Sequence, residues 1–419
     1  MSKIQSVHAL EILDSRGYPT LKATVTLESG KSGQAAVPAG ASKGRAEATE
    51  LRDQDPKRYE GKGVHKAVSL INTQINRLLK GMEINNIREI DQKMIEADGT
   101  KTKSDLGANT ILAVSLACAR TGAIEANKSL HQHIRDIYSL GFKDFQLPLP
   151  MMNVINGGQH ADNRLTIQEY MVVPKAEKYS DIIRLGAEVF HKLKKILQAK
   201  NLATAVGDEG GFAPDFVSNI APFEAIMEAI SQMELAEKQE VTLAIDAAAD
   251  SFHNTEQNKY FFELENSSLS SDQLVALYTE WANKFPIISI EDGVAEEDFD
   301  GWSLLNQKVG KNILVVGDDL FVTSQDRLKI GIQKSLANAI IIKPNQVGSL
   351  TETIDCIRLA QANKFKVIVS HRSGDTCDSF IADLAIAVKA DFIKTGSMSR
   401  SERLSKYNRL LEIEEELTQ

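Results

Sequence analysis

The sequence predicts an α/β protein in which a (β/α)8 barrel follows a smaller α+β N-terminal domain, and three observations support that expectation. The chain has 419 residues, too many for one small domain, and its 42% apolar and 25% charged content suits a substantial globular core. The N-terminal part passes from strand-like alternation to helical spacing. The remainder repeats a short apolar run ending in one polar side chain, a pattern expected of buried parallel strands.

Thr20–Leu27 alternates polar and apolar side chains, Ser29 and Gly30 supply a turn, and Gln34–Val37 resumes an extended run. Helical spacing then takes over. Val64, Ala67, Val68, Ile71, Ile75, Leu78 and Leu79 recur at intervals of three and four, and Asn109–Ala126 reads as a second, more apolar helix. The two prolines of Gly141–Pro150 (GFKDFQLPLP) interrupt helix and mark a crossing into another unit. Domains are therefore expected over residues 1–136, which would contribute lid loops, and 137–419, the catalytic barrel.

In the second part Val241–Ile245 ends at Asp246, Ile287–Ile290 at Glu291 and Ile313–Gly317 at Asp318. Ala339–Ile342 ends at Lys343, Val367–Ser370 at His371, and Phe392-Ile393 at Lys394. From Glu291 onward these end residues lie 27, 25, 28 and 23 positions apart, about one strand, one helix and two turns. Consecutive βα units of this kind close most readily into a barrel, whose C-terminal strand ends share the face on which active sites sit.

Charge and motifs exclude several classes. Against 48 basic residues stand 57 acidic ones, a net charge of −9, with no basic block to follow a nucleic-acid backbone. Cys118, Cys356 and Cys377 form no CxxC pair and are odd in number, so a disulfide framework and a zinc ribbon are not expected, and a reducing cytoplasm fits best. Met1–Leu10 lacks the apolar segment of a signal peptide, and no run approaches the roughly 18 apolar residues that span a bilayer. There is no GxGxxG fingerprint, P-loop or nucleophile elbow.

Asp246, Glu291 and Asp318 would meet at the barrel mouth, where three carboxylates suit a hard divalent cation such as Mg²⁺; each alone also reads as a solvated acid at a strand end. Lys343 ends the most apolar run and precedes Pro344. Desolvation and neighbouring cations would lower its pKa and fit it as a base, while a structural salt bridge to the carboxylates is the plainer alternative. Gly207–Gly211 (GDEGG) sets Asp208 and Glu209 on a turn where backbone approaches a ligand, although alone it reads as an acidic turn. His371, Arg372 and Ser373 form a donor set suited to phosphate, or an incidental surface cluster. Pro38–Gly44 and Asn156–Asn163 are small-residue loops that would serve as lids or as ordinary connections.

With these residues in view the chain resembles the enolase family along almost its whole length, and most closely the bacterial branch. The matching segments are DSRGYPT (Asp14–Thr20), GAS (Gly40–Ser42), ELRD (Glu50–Asp53), NGGQHADN (Asn156–Asn163), IQEYM (Ile167–Met171) and GDEGGFAP (Gly207–Pro214). SIEDG (Ser289–Gly293), GDDLFVT (Gly317–Thr323), IKPNQVGSLTET, SHRSGDT and IKTGSMSRSERLSKYN complete the order. The resemblance implies reversible dehydration of 2-phosphoglycerate to phosphoenolpyruvate with two Mg²⁺ per site, the second arriving with substrate. Asp246, Glu291 and Asp318 would hold the first ion and Ser42 would help hold the second. Lys343 would take the C2 proton and Glu209 would protonate the leaving C3 hydroxyl. Arg372 and Ser373, with His371, would bind phosphate; Lys394 and Gln168 would contact substrate; His160 and Glu169 would lie near the hydroxyl. A lysine base with one or two Mg²⁺ ions is the general example of the enolase superfamily itself, so that pairing comes from the resemblance.

The resemblance further implies a homodimer or ring of dimers, a cytoplasmic location with a possible signal-less surface or secreted fraction, and no nucleic-acid partner or membrane span. Ala39 and Lys43 in the first loop, and Arg164 after the second, depart from the usual family residues. Two rival functions remain: another acid dehydratase of the superfamily, which would not need the His371-Arg372-Ser373 set, and a non-catalytic binding protein on the same fold.

Overall fold

The computed structural model describes residues 2–40, 44, 46–142, 144–236 and 239–418. Three antiparallel strands open the chain in the order β1 (Ile4–Leu13), β2 (Pro19–Leu27) and β3 (Ser32–Ala36). The alternation of Thr20–Leu27 is the inner face of β2, where Leu21, Ala23, Val25 and Leu27 are buried. Along the edge strand β1, the side chains of Asn72 and Asn76 accept the amides of Ala9 (2.7 Å) and Val7 (2.8 Å), which caps an otherwise open row of donors. Both asparagines belong to the helical run 65–79, which takes a π turn at Ile71–Ile75.

The apolar helix expected at Asn109–Ala126 is observed at Ala108–Ala126 and packs across the sheet. Gly33 permits the approach, because a Cβ there would stand 2.7 Å from the backbone nitrogen of Thr121. The helix is apolar on both sides because its other face meets the rest of the chain. There Ser115 Oγ accepts the amide of Leu350 at 3.0 Å.

Eight strands then form a closed barrel, interrupted in sequence by a small three-stranded sheet. They are β4 (Leu149–Asn156), β5 (Glu169–Lys175) and β6 (Glu240–Asp246), followed by the small-sheet strands β7 (His253–Asn254), β8 (Lys259–Phe262) and β9 (Ser267–Leu269). The barrel resumes with β10 (Ile287–Glu291), β11 (Leu314–Gly317), β12 (Ala339–Ile342), β13 (Lys366–Ser370) and β14 (Phe392–Lys394). Barrel order is β10-β11-β12-β13-β14-β4-β5-β6. Met151, Met171, Val173, Ala244, Val316, Ala339, Ile341 and Ile368 fill the interior, and a larger core lies between strands and helices.

One strand departs from an all-parallel barrel: β5 runs antiparallel to both β4 and β6. The cause is the link between β4 and β5, which has no crossover helix and returns the chain as a hairpin. The start of β5, rather than its end, therefore reaches the mouth, and Glu169 faces Asp246 in register.

The N-terminal layer is tied to the barrel by buried polar contacts. Arg120 grips Asp378 with both terminal nitrogens (2.6 and 2.7 Å), and Asp91 accepts the Thr351 amide (3.0 Å). Ala39 and Gly374 exchange two backbone hydrogen bonds (2.7 and 3.0 Å), so the unusual Ala39 is placed beside Ser373 and its side chain is not called upon. Ser42 and Lys43 lie outside the described residues. Arg164 is largely exposed, 4.0 Å from the equally exposed Asp215. No helix among the described residues is long and apolar enough to cross a membrane.

Candidate active site

Five of the six strand-end side chains singled out in the sequence line one cavity of about 180 Å³, and the sixth lies beneath it. Asp246, Asp318, Lys343, His371 and Lys394 line it, together with His160, Gln168, Glu169, Glu209, Arg372 and Ser373. Glu291 is buried just beneath, hydrogen-bonded to Lys394. Asp246, Glu291 and Lys394 are the last residues of β6, β10 and β14; Asp318, Lys343 and His371 each follow their strand by one residue.

Four acids on adjacent strands thus crowd one rim: Glu169, Asp246, Glu291 and Asp318. The Lys394 ammonium sits among three of them, donating to Glu291 Oε2 (2.8 Å) and Asp246 Oδ2 (2.9 Å) and lying 3.2 Å from Glu169 Oε1. Burial acts to lower the Lys394 pKa, but these carboxylates outweigh it and hold it well above its ordinary value. Burial, with the charge of Asp246, pushes Glu291 well up; burial, with Glu209, does the same for Glu169. Glu291 Oε1 and Glu169 Oε2 are buried with no hydrogen-bond partner. Clustered buried carboxylate oxygens, two of them left unpaired, are the donor set of a hard cation, so the residues fit a divalent metal.

Ligand atoms close enough to share one ion are found in two other groupings, His160-Glu169-Glu209 and Asp292-Asp318-Asp319. Asp246 and Glu291 are instead turned onto Lys394, and the Lys343 ammonium is in direct contact with Asp318. That contact corrects an expectation. Burial does act to lower Lys343, but the Asp318 carboxylate outweighs it and the lysine is raised, while Asp318 is held below its ordinary value despite its own burial.

Several contributors were not foreseen. Asp292, at φ +42°, accepts the amides of Asp318 and Asp319 (both 2.9 Å) and so fixes the turn that presents Asp318. In that turn Val322 and Thr323 also take the left-handed conformation, at φ +43° and +56°, which is costly for β-branched residues and is stored where a ligand is aimed. Gln346 donates to Asp318 Oδ1 (2.9 Å) and accepts from Thr323 Oγ1 (2.7 Å). Glu47, from the N-terminal layer, grips Arg372 in a bidentate pair (2.9 and 3.1 Å), and Asn345 Oδ1 takes a further bond from Arg372 Nη1 at 3.1 Å. None of these residues ends an apolar run; their only sequence signal was membership of the matching segments or a place beside them.

On the other side of the chemistry Glu209 is met by Ser373 Oγ (3.3 Å to Oε1), Asn153 Nδ2 (3.3 Å to Oε2) and His371 Nε2 (3.2 Å to Oε2), with His160 Nε2 at 3.8 Å from Oε1. Burial pushes Glu209 up, but His371, then His160 and Arg403, outweigh it and hold the carboxyl well below its usual range. Burial lowers His160, and it pushes His371 down to about 4, so His371 is neutral near pH 7. The glycine-rich turn is thus no solvated acidic turn: Glu209 is 2% exposed.

A mouth with clustered carboxylates, two buried lysines and an arginine suits the active site of an enzyme. Residues 4–134 match the family model "Enolase, N-terminal domain" and residues 144–419 match "Enolase, C-terminal TIM barrel domain". The chain belongs to the enolase family, whose superfamily comprises Mg²⁺-using lyases.

Proposed function

We propose that this chain is a glycolytic enolase that interconverts 2-phosphoglycerate and phosphoenolpyruvate. The observation that supports it best is the pairing, within one cavity, of a lysine in contact with an acid of the metal-type cluster and a carboxyl held by a separate set of donors. Removing the proton beside a carboxylate builds charge that requires concentrated positive charge to stabilise it. Asp246, Glu291 and Asp318 would hold one Mg²⁺ and Ser42 would help hold a second; bound there, Mg²⁺ neutralises the charge that develops on the substrate carboxylate.

Lys343 would take the C2 proton; the Asp318 carboxylate beside it now raises the lysine, and would do so less if it held a cation. Glu209, a carboxylate at rest, takes a proton from solvent before the reaction and gives that proton to the C3 oxygen. The C3–O electron pair leaves with that oxygen as water, and the pair left at C2 becomes the C2=C3 bond. In the reverse direction Glu209 begins as the carboxylate it is at rest and accepts a proton from water. Lys394 and Gln168 would contact the substrate, His160 and Glu169 would border the leaving hydroxyl, Arg372 and Ser373 would receive the phosphate, and His371 would border it. The planar fork of Arg372 matches a phosphate, which favours the phosphorylated substrate over other acids of the superfamily. The family relation also supports a C2 dimer or ring of dimers acting in the cytoplasm.

The test is appearance of phosphoenolpyruvate from 2-phosphoglycerate, followed in the ultraviolet with Mg²⁺ and with excess chelator. Lys343→Ala should abolish exchange of the C2 proton with solvent; Glu209→Gln should keep exchange and lose dehydration by roughly 10²–10⁴-fold. Full turnover in chelator, or wild-type exchange in Lys343→Ala, would overturn the assignment.

A further inference from the structure

We propose that Arg403 is a positioning residue that fixes the tautomer of His371 and so decides which oxygen of Glu209 carries the transferred proton. This rests on the reading of Glu209 as the general acid. Arg403 lies in the C-terminal helix Ser401–Thr418 and is fully buried. Its Nη1 is 2.6 Å from His371 Nδ1 and 2.7 Å from the Arg372 carbonyl; its Nη2 is 2.6 Å from the Ser373 carbonyl and 3.1 Å from that of Asp208.

A guanidinium only donates and does not lose its charge in a protein. His371 Nδ1 must therefore present a lone pair to Arg403. The neutral ring then has one place left for its proton, Nε2, which lies 3.2 Å from Glu209 Oε2. Asn153 Nδ2 donates to the same oxygen at 3.3 Å. Oε2 thus accepts from the Asn153 amide and has His371 Nε2 3.2 Å away, out of line for a formed hydrogen bond, so a proton placed on it would confront the fixed amide donor and crowd the His371 N–H.

Oε1 differs. Its neighbours are Ser373 Oγ at 3.3 Å, a hydroxyl that can turn to accept, and His160 Nε2 at 3.8 Å. The transferable proton therefore belongs on Oε1. When the Oε1–H bond breaks, the proton passes to the departing C3 oxygen, and the carboxylate left behind is stabilised at Oε2 by the His371 N–H and the Asn153 amide. His371 neither gives nor receives the proton. It is the fixed donor that Arg403 holds in place.

The first measurement uses the wild-type enzyme labelled with ¹⁵N-histidine, with the His371 signals identified by their loss in His371→Gln. Long-range ¹H–¹⁵N correlations should show His371 as the Nε2–H tautomer with an unprotonated Nδ1. An Nδ1–H tautomer, or an imidazolium at neutral pH, would overturn the proposal. The second compares two rates in Arg403→Lys, which keeps the charge but not the fork. Dehydration should fall roughly 10²-fold, while C2-proton exchange with solvent stays close to wild type. An equal loss in both rates would show that Arg403 only holds the site together and would also overturn the proposal. Should the variant not fold, the wild-type tautomer decides. Absence of any turnover of 2-phosphoglycerate by the wild type would instead strike the proposed reaction, and the tautomer would be read independently of it.

Discussion

Replacing Lys394 with methionine removes an ammonium that Glu169, Asp246 and Glu291 share while keeping most of the side-chain volume. The side chain is 2% exposed, and its three contacts span 2.8–3.2 Å. Removing one partner of a buried ion pair costs about 3–5 kcal/mol, and here three carboxylates lose it together. We expect a deficit near the upper end of that range at neutral pH without divalent cation. The deficit should depend on pH with a definite sign. Burial with Asp246 raises Glu291 and burial with Glu209 raises Glu169 even in the wild type, and loss of Lys394 raises both further. A carboxyl raised in the folded state contributes stability that is complete below its unfolded value and is lost as pH rises through the folded one. The variant should therefore approach wild type near pH ~4.3, the unfolded glutamate value, and fall furthest behind near pH ~8. At neutral pH, Mg²⁺ at about 100 times its dissociation constant should return about 2.7 kcal/mol. Urea denaturation followed by the fluorescence of Trp281 and Trp302, both buried in the barrel part, measures all three. A deficit below about 1 kcal/mol in chelator, or one equal at both pH values, would refute the reasoning.

Two further outcomes are expected. Asp292→Asn turns an amide N–H toward the Asp318 or Asp319 backbone N–H and should weaken Mg²⁺ binding by roughly 10–100-fold in titration calorimetry; unchanged affinity would mean the turn holds Asp318 without it. Glu47→Gln removes the anion that occupies the fork of Arg372, so inorganic phosphate should bind roughly tenfold more tightly, about 1.4 kcal/mol; weaker binding would show that Glu47 orients the guanidinium rather than competing for it.

Much of the barrel was legible because buried parallel strands are short continuous apolar runs, and the side chain at the end of each run is the one that reaches the mouth. Asp246, Glu291, Asp318, Lys343, His371 and Lys394 were found by that rule, and all six are at the rim or just beneath it. The rule could not find β4, whose start is broken by Pro148 and Pro150, or β5, whose reversed direction delivers Glu169 from its beginning. Nor could it find Asp292, Glu47 or Arg403, which act on partners 26 or more residues away. Lys343 does lie at the mouth, but its expected lowering failed; the alternative that the sequence also offered, a salt bridge to the carboxylates, is what the fold shows in the contact with Asp318.

The hairpin of β4 and β5 brings a consequence for how the protein is made. Met151 on β4 pairs with Lys394 on β14, so the barrel's seam joins one of its first strands to its last. During synthesis Glu169, Asp246 and Glu291 leave the ribosome long before the residue that neutralises them, and domains of this size form as units only when their closing element is present. Until β14 emerges, the nascent chain holds Glu169, Asp246 and Glu291 without the Lys394 ammonium they share, and an exposed strand edge on either side of the gap. The last barrel strand to be translated therefore delivers, in one step, both the hydrogen bonds that close the seam and the charge that lets the rim stay together.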